Sequence, residues 1–174
     1  MVFGTVATLG MWICRPYSDV LKRLLDIMLD VLGDNLVSVV VFGSVARCEA
    51  RRDSDIDLLI VVREAPRSRL RRQEMFLEIE KRIERDVEDL TEQEFYIDFS
   101  PIIKTVEEAK RFTPLYLDMV EDAVILYDRN NFFKQILDNL RSRLRELGAE
   151  RVWIGRKWYW RLKKDYVFGE VIEI

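Results

Sequence analysis

The sequence predicts an α+β domain, a mixed β-sheet with helices packed on it, followed by a C-terminal helix and an aromatic, hairpin-like tail. Three observations predict it. Two apolar, β-branched runs, 39–42 and 56–62, flank a Gly-Ser turn and a polar loop. Three longer segments, 17–32, 67–90 and 132–147, carry apolar residues at helical spacing. Strands and helices mix without the regular repeat of a doubly wound fold.

Composition narrows the chemistry. The chain has 174 residues, 49% of them hydrophobic, enough to bury a substantial core in one compact domain. Its net charge of −3 argues against a surface coated for nucleic acid, but not against a local basic patch. There is no histidine, which excludes histidine triads and histidine metal sites. Any base or metal ligand is therefore Asp, Glu, Lys, Tyr or Cys. Cys14 and Cys48 lack metal-ligand spacing and are expected as reduced thiols of a cytoplasmic protein.

In chain order, residues 1–16 form an apolar N-terminal extension. Its uncharged run, 1–14, is too short to span a bilayer and is not preceded by a basic region. It reads as an extra strand or a loose extension, or translation begins at Met11. Residues 17–32 form an amphipathic helix with Leu21, Leu24, Leu25, Met28 and Leu32 on one face, and Gly33 follows its end. After the two central strands, 67–90 is a long helix with Phe76, Ile79, Ile83, Val87 and Leu90 as its stripe. Arg63, Arg67, Arg69, Arg71 and Arg72 cluster at its start, either as a solvated face or as a contact for triphosphate or nucleic acid.

The run 95–103 alternates like a strand, and Pro101 marks the expected end of regular pairing. Thr105 and Glu108 make a capping box. Thr113-Pro114 opens another helix, with threonine as its cap. Residues 123–127 form a further strand. In 132–147, Phe133, Ile136, Leu137, Leu140, Leu144 and Leu147 line one helical face, for packing on the domain or for a dimer or partner interface. The tail interleaves Trp153, Trp158, Tyr159 and Trp160 with Arg151, Arg156, Lys157, Arg161, Lys163 and Lys164. A hairpin turning at Gly155-Arg156-Lys157 would fold back on the core. The alternative is an RNA-contacting surface over 151–164, which stacks bases and neutralises phosphates.

The chemistry concentrates between residues 39 and 62. Side chains two apart on a strand share a face, so Asp55 and Asp57 project together. Two adjacent carboxylates at the end of a buried strand cost stability unless a cation joins them, and paired oxygen ligands suit Mg²⁺. Gly43-Ser44 offers backbone N–H groups and a hydroxyl for phosphate.

Gly43-Ser44, ten intervening residues, then Asp55-Ile56-Asp57 resembles the signature of the DNA polymerase β-like nucleotidyltransferase superfamily. The run GSVAR…SDIDLLIV is most similar to its small prokaryotic, minimal members. Cys48 departs from the pattern, standing where the family carries glycine in a GSxARG run. The resemblance implies a palm-like nucleotidyltransferase domain over 17–130, with 131–174 as the C-terminal helix and basic, aromatic tail. It also implies two Mg²⁺ ions, with Asp55 and Asp57 as ligands and Asp98 as the third carboxylate. Otherwise Asp98 is an edge aspartate facing water. Gly43 and Ser44 would cradle the β- and γ-phosphates of an NTP, expected as ATP, and Arg47 would pair with phosphate or brace the loop. The implied reaction moves AMP onto an acceptor hydroxyl, as in toxin–antitoxin pairs with a helical HEPN-type partner. The alternatives are a nucleotide-binding antitoxin module that acts by partner binding alone, and an RNA-end nucleotidyltransferase.

Overall fold

Two adjacent strands, apolar except at Ser38 and Asp57, form the centre of the sheet. In the computed structural model, which describes residues 5–6, 13–155, 157–167, 170–172 and 174, β2 (Leu36–Phe42) is buried along its whole length. Strand β3 (Ile56–Val62) is buried everywhere except at Asp57. They pair antiparallel, so Phe42 at the end of β2 lies opposite Asp57 at the start of β3. Strand β5 (Val124–Asp128) pairs antiparallel with the other side of β2, and β4 (Phe99–Thr105) pairs parallel with β3. A two-residue strand, β1 (Thr5–Val6), adds to β5 and gives the order β1-β5-β2-β3-β4. The extra strand expected of the N-terminal extension is present at those two residues. Met11, the other start considered for the chain, lies outside the described residues.

Helices cover both faces. Helices α1 (Tyr17–Leu32) and α3 (Arg69–Thr91) close one face, and Leu21, Leu24, Met28, Phe76, Ile79 and Ile83 meet Leu58 and Ile60 of β3 there. Helices α5 (Leu115–Asp122) and α6 (Phe132–Glu146) close the other, where Tyr116, Phe133 and Leu137 meet Val40, Leu59 and Val61. The stripe of α6 is thus used in packing on the domain. Among the described residues, no helix is long and apolar enough to cross a membrane.

Asp128 fixes the entry to α6. It is buried, and its carboxylate accepts from Ser38 Oγ at 2.6 Å, from the Phe133 N–H at 3.0 Å and from the Lys134 N–H at 2.9 Å. Every one of these donors would otherwise lack a partner at a helix start or inside the sheet. Nothing local marks Asp128 for this role, because it ends an apolar strand where a turn residue is expected.

Four expectations are corrected. Cys14 and Cys48 are joined in a disulfide, their Cα atoms 5.6 Å apart, because the chain entering α1 passes over the loop that leads into β3. They are not reduced thiols. The fourth strand starts at Phe99, not at residue 95, because its parallel partner β3 begins beside it at Ile56 and residues 95–98 have no strand to pair with. Pro101 does not end it. Its carbonyl turns outward to Gln73 Nε2 at 3.4 Å, so its missing N–H falls on the open edge and costs no ladder bond. Thr113 does not cap α5, and its Oγ1 is buried without a hydrogen-bond partner. The capping box of Thr105 and Glu108 forms as expected, at the start of a short helix, α4 (Val106–Ala109).

The tail folds back as an antiparallel hairpin of β6 (Glu150–Ile154) and β7 (Lys157–Arg161). Trp160 Nε1 donates to the Leu117 carbonyl at 2.9 Å. Arg151 bonds Asp122 and lies over the rings of Trp153 and Trp158. The turn residue Arg156 lies outside the described residues.

Removing the Asp128 carboxylate should be costly. Asp128→Ala loses the bonds that begin α6 and leaves a buried Ser38 hydroxyl unpaired, a loss of about 2–4 kcal/mol. Urea denaturation measures it, and a loss below about 0.5 kcal/mol would contradict the role.

Candidate active site

The site begins where β2 stops. Phe42 is extended, and Gly43 then turns at φ +73, a left-handed value that disfavours any side chain. Helix α2 (Gly43–Ala46) follows, with the Arg47 N–H on the Gly43 carbonyl and the Glu49 N–H on the Ser44 carbonyl. A β-carbon built at residue 43 would stand 2.2 Å from Asp57 Oδ2. Glycine is therefore required twice, once by its backbone and once by the carboxylate packed over it.

Asp57 lies in β3 between Phe42 and Ser100, its partners on either side. It points to the face of Leu59 and Val61, toward α5. Asp55 precedes the strand and is exposed. Burial raises the Asp57 pKa above the ordinary carboxylate value, the Asp55 charge raises it further, and Arg47 opposes both. The two carboxylates are thus close enough to repel, as their spacing predicts, though only the second is in the strand.

The loop between α2 and β3 is held at several points. The Cys14–Cys48 disulfide ties one end to the chain before α1. The Tyr17 hydroxyl donates to the Arg51 carbonyl, the Tyr96 N–H to the Arg52 carbonyl at 2.7 Å, and the Ile56 N–H to the Asp98 carbonyl at 2.8 Å. Cys48 has φ +54. The turn keeps the left-handed conformation that glycine would adopt freely.

Arg47 donates from Nε to Glu49 Oε2 at 2.9 Å, which braces the loop. Its charge also acts on Asp118 of α5, whose pKa is raised mainly by burial. Sequence reasoning did not single out Asp118, an acid on an otherwise ordinary helix. Asp98 precedes β4 and is exposed, and its Oδ1 accepts from the neighbouring Phe99 N–H at 2.8 Å. Its charge helps raise the pKa of Glu80 on α3, behind the effect of burial. Among the described residues, no three acidic or cysteine side chains gather closely enough to hold a metal ion. The structure therefore brings Asp55, Asp57, Gly43 and Arg47 together, and holds Asp98 beside them by its backbone only.

The donors fit a hard divalent ion. Two carboxylates, one half-buried and made costly by the other, offer oxygen ligands that a cation would stabilise.

The chain is similar to known proteins over most of its length. Residues 21–127 match the nucleotidyltransferase domain family. A protein of Methanocaldococcus jannaschii named "Putative protein adenylyltransferase" is 26% identical over 150 residues, covering 85% of this chain and 95% of that protein. Among solved structures, a toxin–antitoxin crystallised with AMP-PNP is 15% identical, covers 73% of this chain and 91% of its own, and has a TM-score of 0.43. The toxin–antitoxin MntA–HepT is 13% identical, with coverage of 74% and 86% and a TM-score of 0.44.

The raised pKa of Asp57 has a signed consequence. Its folded form holds a proton more tightly than the unfolded chain does, so ionised Asp57 subtracts stability once pH rises through its raised pKa. Asp57→Asn should therefore melt higher than the wild type at neutral pH without metal. That gain should shrink toward zero below the ordinary aspartate value of 3.8. Melting curves across that range test it, and a mutant less stable at neutral pH would contradict it.

Proposed function

The chain belongs to the nucleotidyltransferase domain family, and on that premise we propose that it transfers AMP from ATP, with Mg²⁺, to a hydroxyl group of a protein. It is a nucleotidyltransferase by family. The nucleotide, the metal and the acceptor are the proposal. One observation carries it: the Asp57 carboxylate is packed over Gly43 and crowded by Asp55. An arrangement that costs stability without a cation is expected at a site built to bind one.

In the proposed reaction the acceptor oxygen attacks the α-phosphorus in line. A new O–P bond forms, the bond to the β-phosphate oxygen breaks, and pyrophosphate leaves. Asp55 and Asp57 hold the metal, which supplies charge neutralisation to the phosphate oxygens. The Gly43 and Ser44 backbone and the Ser44 hydroxyl hold the β- and γ-phosphates. Arg47, braced by Glu49, keeps the turn and offsets part of the charge on Asp57. Asp98 receives the acceptor proton, which requires its carboxylate to leave the Phe99 N–H. Its backbone carbonyl accepts from the N–H of Ile56, the residue between Asp55 and Asp57 in sequence, which supports this part.

The protein acceptor is supported by the name of the M. jannaschii protein, which this chain matches over nearly its whole length. The tail gives an RNA acceptor little support. Arg151 is paired with Asp122, Arg161 and Lys164 with Glu150, and Lys163 with Glu170.

Incubation with ATP labelled at either the α- or the γ-phosphate tests the reading, with a helical HEPN-type protein as the first acceptor offered. Label should reach the protein from the α position only, and only with Mg²⁺ or Mn²⁺. Asp57→Asn and Gly43→Ala should each lose at least about a hundredfold in rate, equivalent to ~3 kcal/mol of transition-state stabilisation. Label arriving from the γ position, or undiminished transfer by Asp57→Asn, would overturn it.

A further inference from the structure

Away from the paired acids, a second group of charges is only partly answered by acids. A cleft of about 660 Å³ runs along the outer edge of β4, between the start of α3 and the segment joining α4 to α5. Five basic side chains and one acidic one line it, in a chain whose net charge is −3. The acid, Glu108, is already committed. Arg72 grips both of its oxygens at 2.6 and 2.9 Å and also donates to the Ile103 and Pro66 carbonyls. The Arg72 hydrogen bonds hold the Glu108 carboxyl down to about 2.

That leaves Arg67, Arg69, Lys104 and Arg111. None of the four forms an ion pair among the described residues. The Lys104 ammonium lies 5.5 Å from the centre of the Tyr116 ring, and burial lowers its pKa, with Glu108 opposing and Arg72 adding to the fall. The cleft also holds the unpartnered Thr113 Oγ1, an apolar wall at Ile102, and Phe112 with 40% of its surface open. The described cations of the tail, by contrast, are nearly all answered by acids.

We infer that this cleft binds a phosphate-bearing ligand, a nucleotide or a nucleic-acid strand, at a site separate from the Asp55–Asp57 pair. Guanidinium forks match phosphate oxygens two at a time, and converging like charges on low-dielectric walls attract anions. The volume suits a nucleotide-sized group, and an open phenyl face beside the cations gives a base something to stack on. These features favour phosphate over an acidic peptide. Ser100, the neighbour of Asp57, is four residues from Lys104 along β4, roughly 13 Å at strand spacing. The inference goes beyond the proposed transfer reaction and holds whatever the acceptor is.

Fluorescence anisotropy on the full chain tests it, in EDTA to suppress metal-dependent binding at the paired acids. The probes are a labelled oligouridylate of about ten nucleotides, within the usual site size of single-strand binders, and a labelled ATP. The wild type should bind at least one probe at low salt. The double variant Arg67→Glu/Arg69→Glu should weaken binding at least tenfold and flatten its salt dependence by about 1.4 in log–log slope, from ~0.7 per phosphate contact. Arg111→Glu should act in the same direction. Melting curves confirm that the variants fold. Binding of the oligonucleotide alone identifies a strand as the ligand, and binding of ATP as well identifies a free nucleotide. No binding of either probe at low salt, or affinities unmoved by both cleft variants, overturns the inference. Transfer activity does not enter either readout.

Discussion

The carboxylate of Asp57 leaves no room for a β-carbon at residue 43, and much of the molecule bears on keeping it there. Strands β2 and β3 are buried and paired so that Phe42 lies opposite Asp57. A slip of one residue would turn Asp57 to the other face and send its apolar neighbours toward it. The loop that delivers Asp55 is pinned by a disulfide, a tyrosine hydroxyl and two backbone hydrogen bonds. The resulting pair of acids is unfavourable by itself, since burial and mutual repulsion both oppose ionisation of Asp57. The apolar cores on both faces of the sheet offset that cost, and a bound cation would remove much of it.

Much of this was legible in the sequence because periodicity and turn chemistry are local. The first helix occupies the residues its spacing assigns, the capping box forms, and the Gly-Ser turn and its acids meet as their separation suggests. What escaped was set by long-range contacts. Nothing near Cys14 announces Cys48, which is 34 residues away. The role of Asp128 depends on Ser38, 90 residues away in sequence. The alternation through residues 95–98 is real, yet a strand also needs a partner, and β3 offers none there. Asp98 therefore lies just outside the sheet, bonded to its own neighbour. Asp118 became visible only when α5 was seen packed beside Arg47.

The distribution of charge follows the same logic. Basic residues look alike in sequence, whether in the tail or at the start of α3. The fold separates them by supplying acids to one set. Arg151, Arg161, Lys163 and Lys164 are held by Asp122, Glu150 and Glu170, and Trp160 is hydrogen-bonded into the domain. These interactions make the tail a structural hairpin. At the start of α3, Arg72 takes the one acid within reach and the other cations remain in an open cleft.

In the proposed reaction Asp55 and Asp57 hold a divalent ion, through which a triphosphate can approach two carboxylates that would otherwise repel it. Calorimetry of ATP binding to the wild-type chain, with and without Mg²⁺, tests it most directly. Affinity should be at least tenfold tighter with the ion, a difference of about 1.4 kcal/mol or more. Equal affinity in both conditions would contradict it.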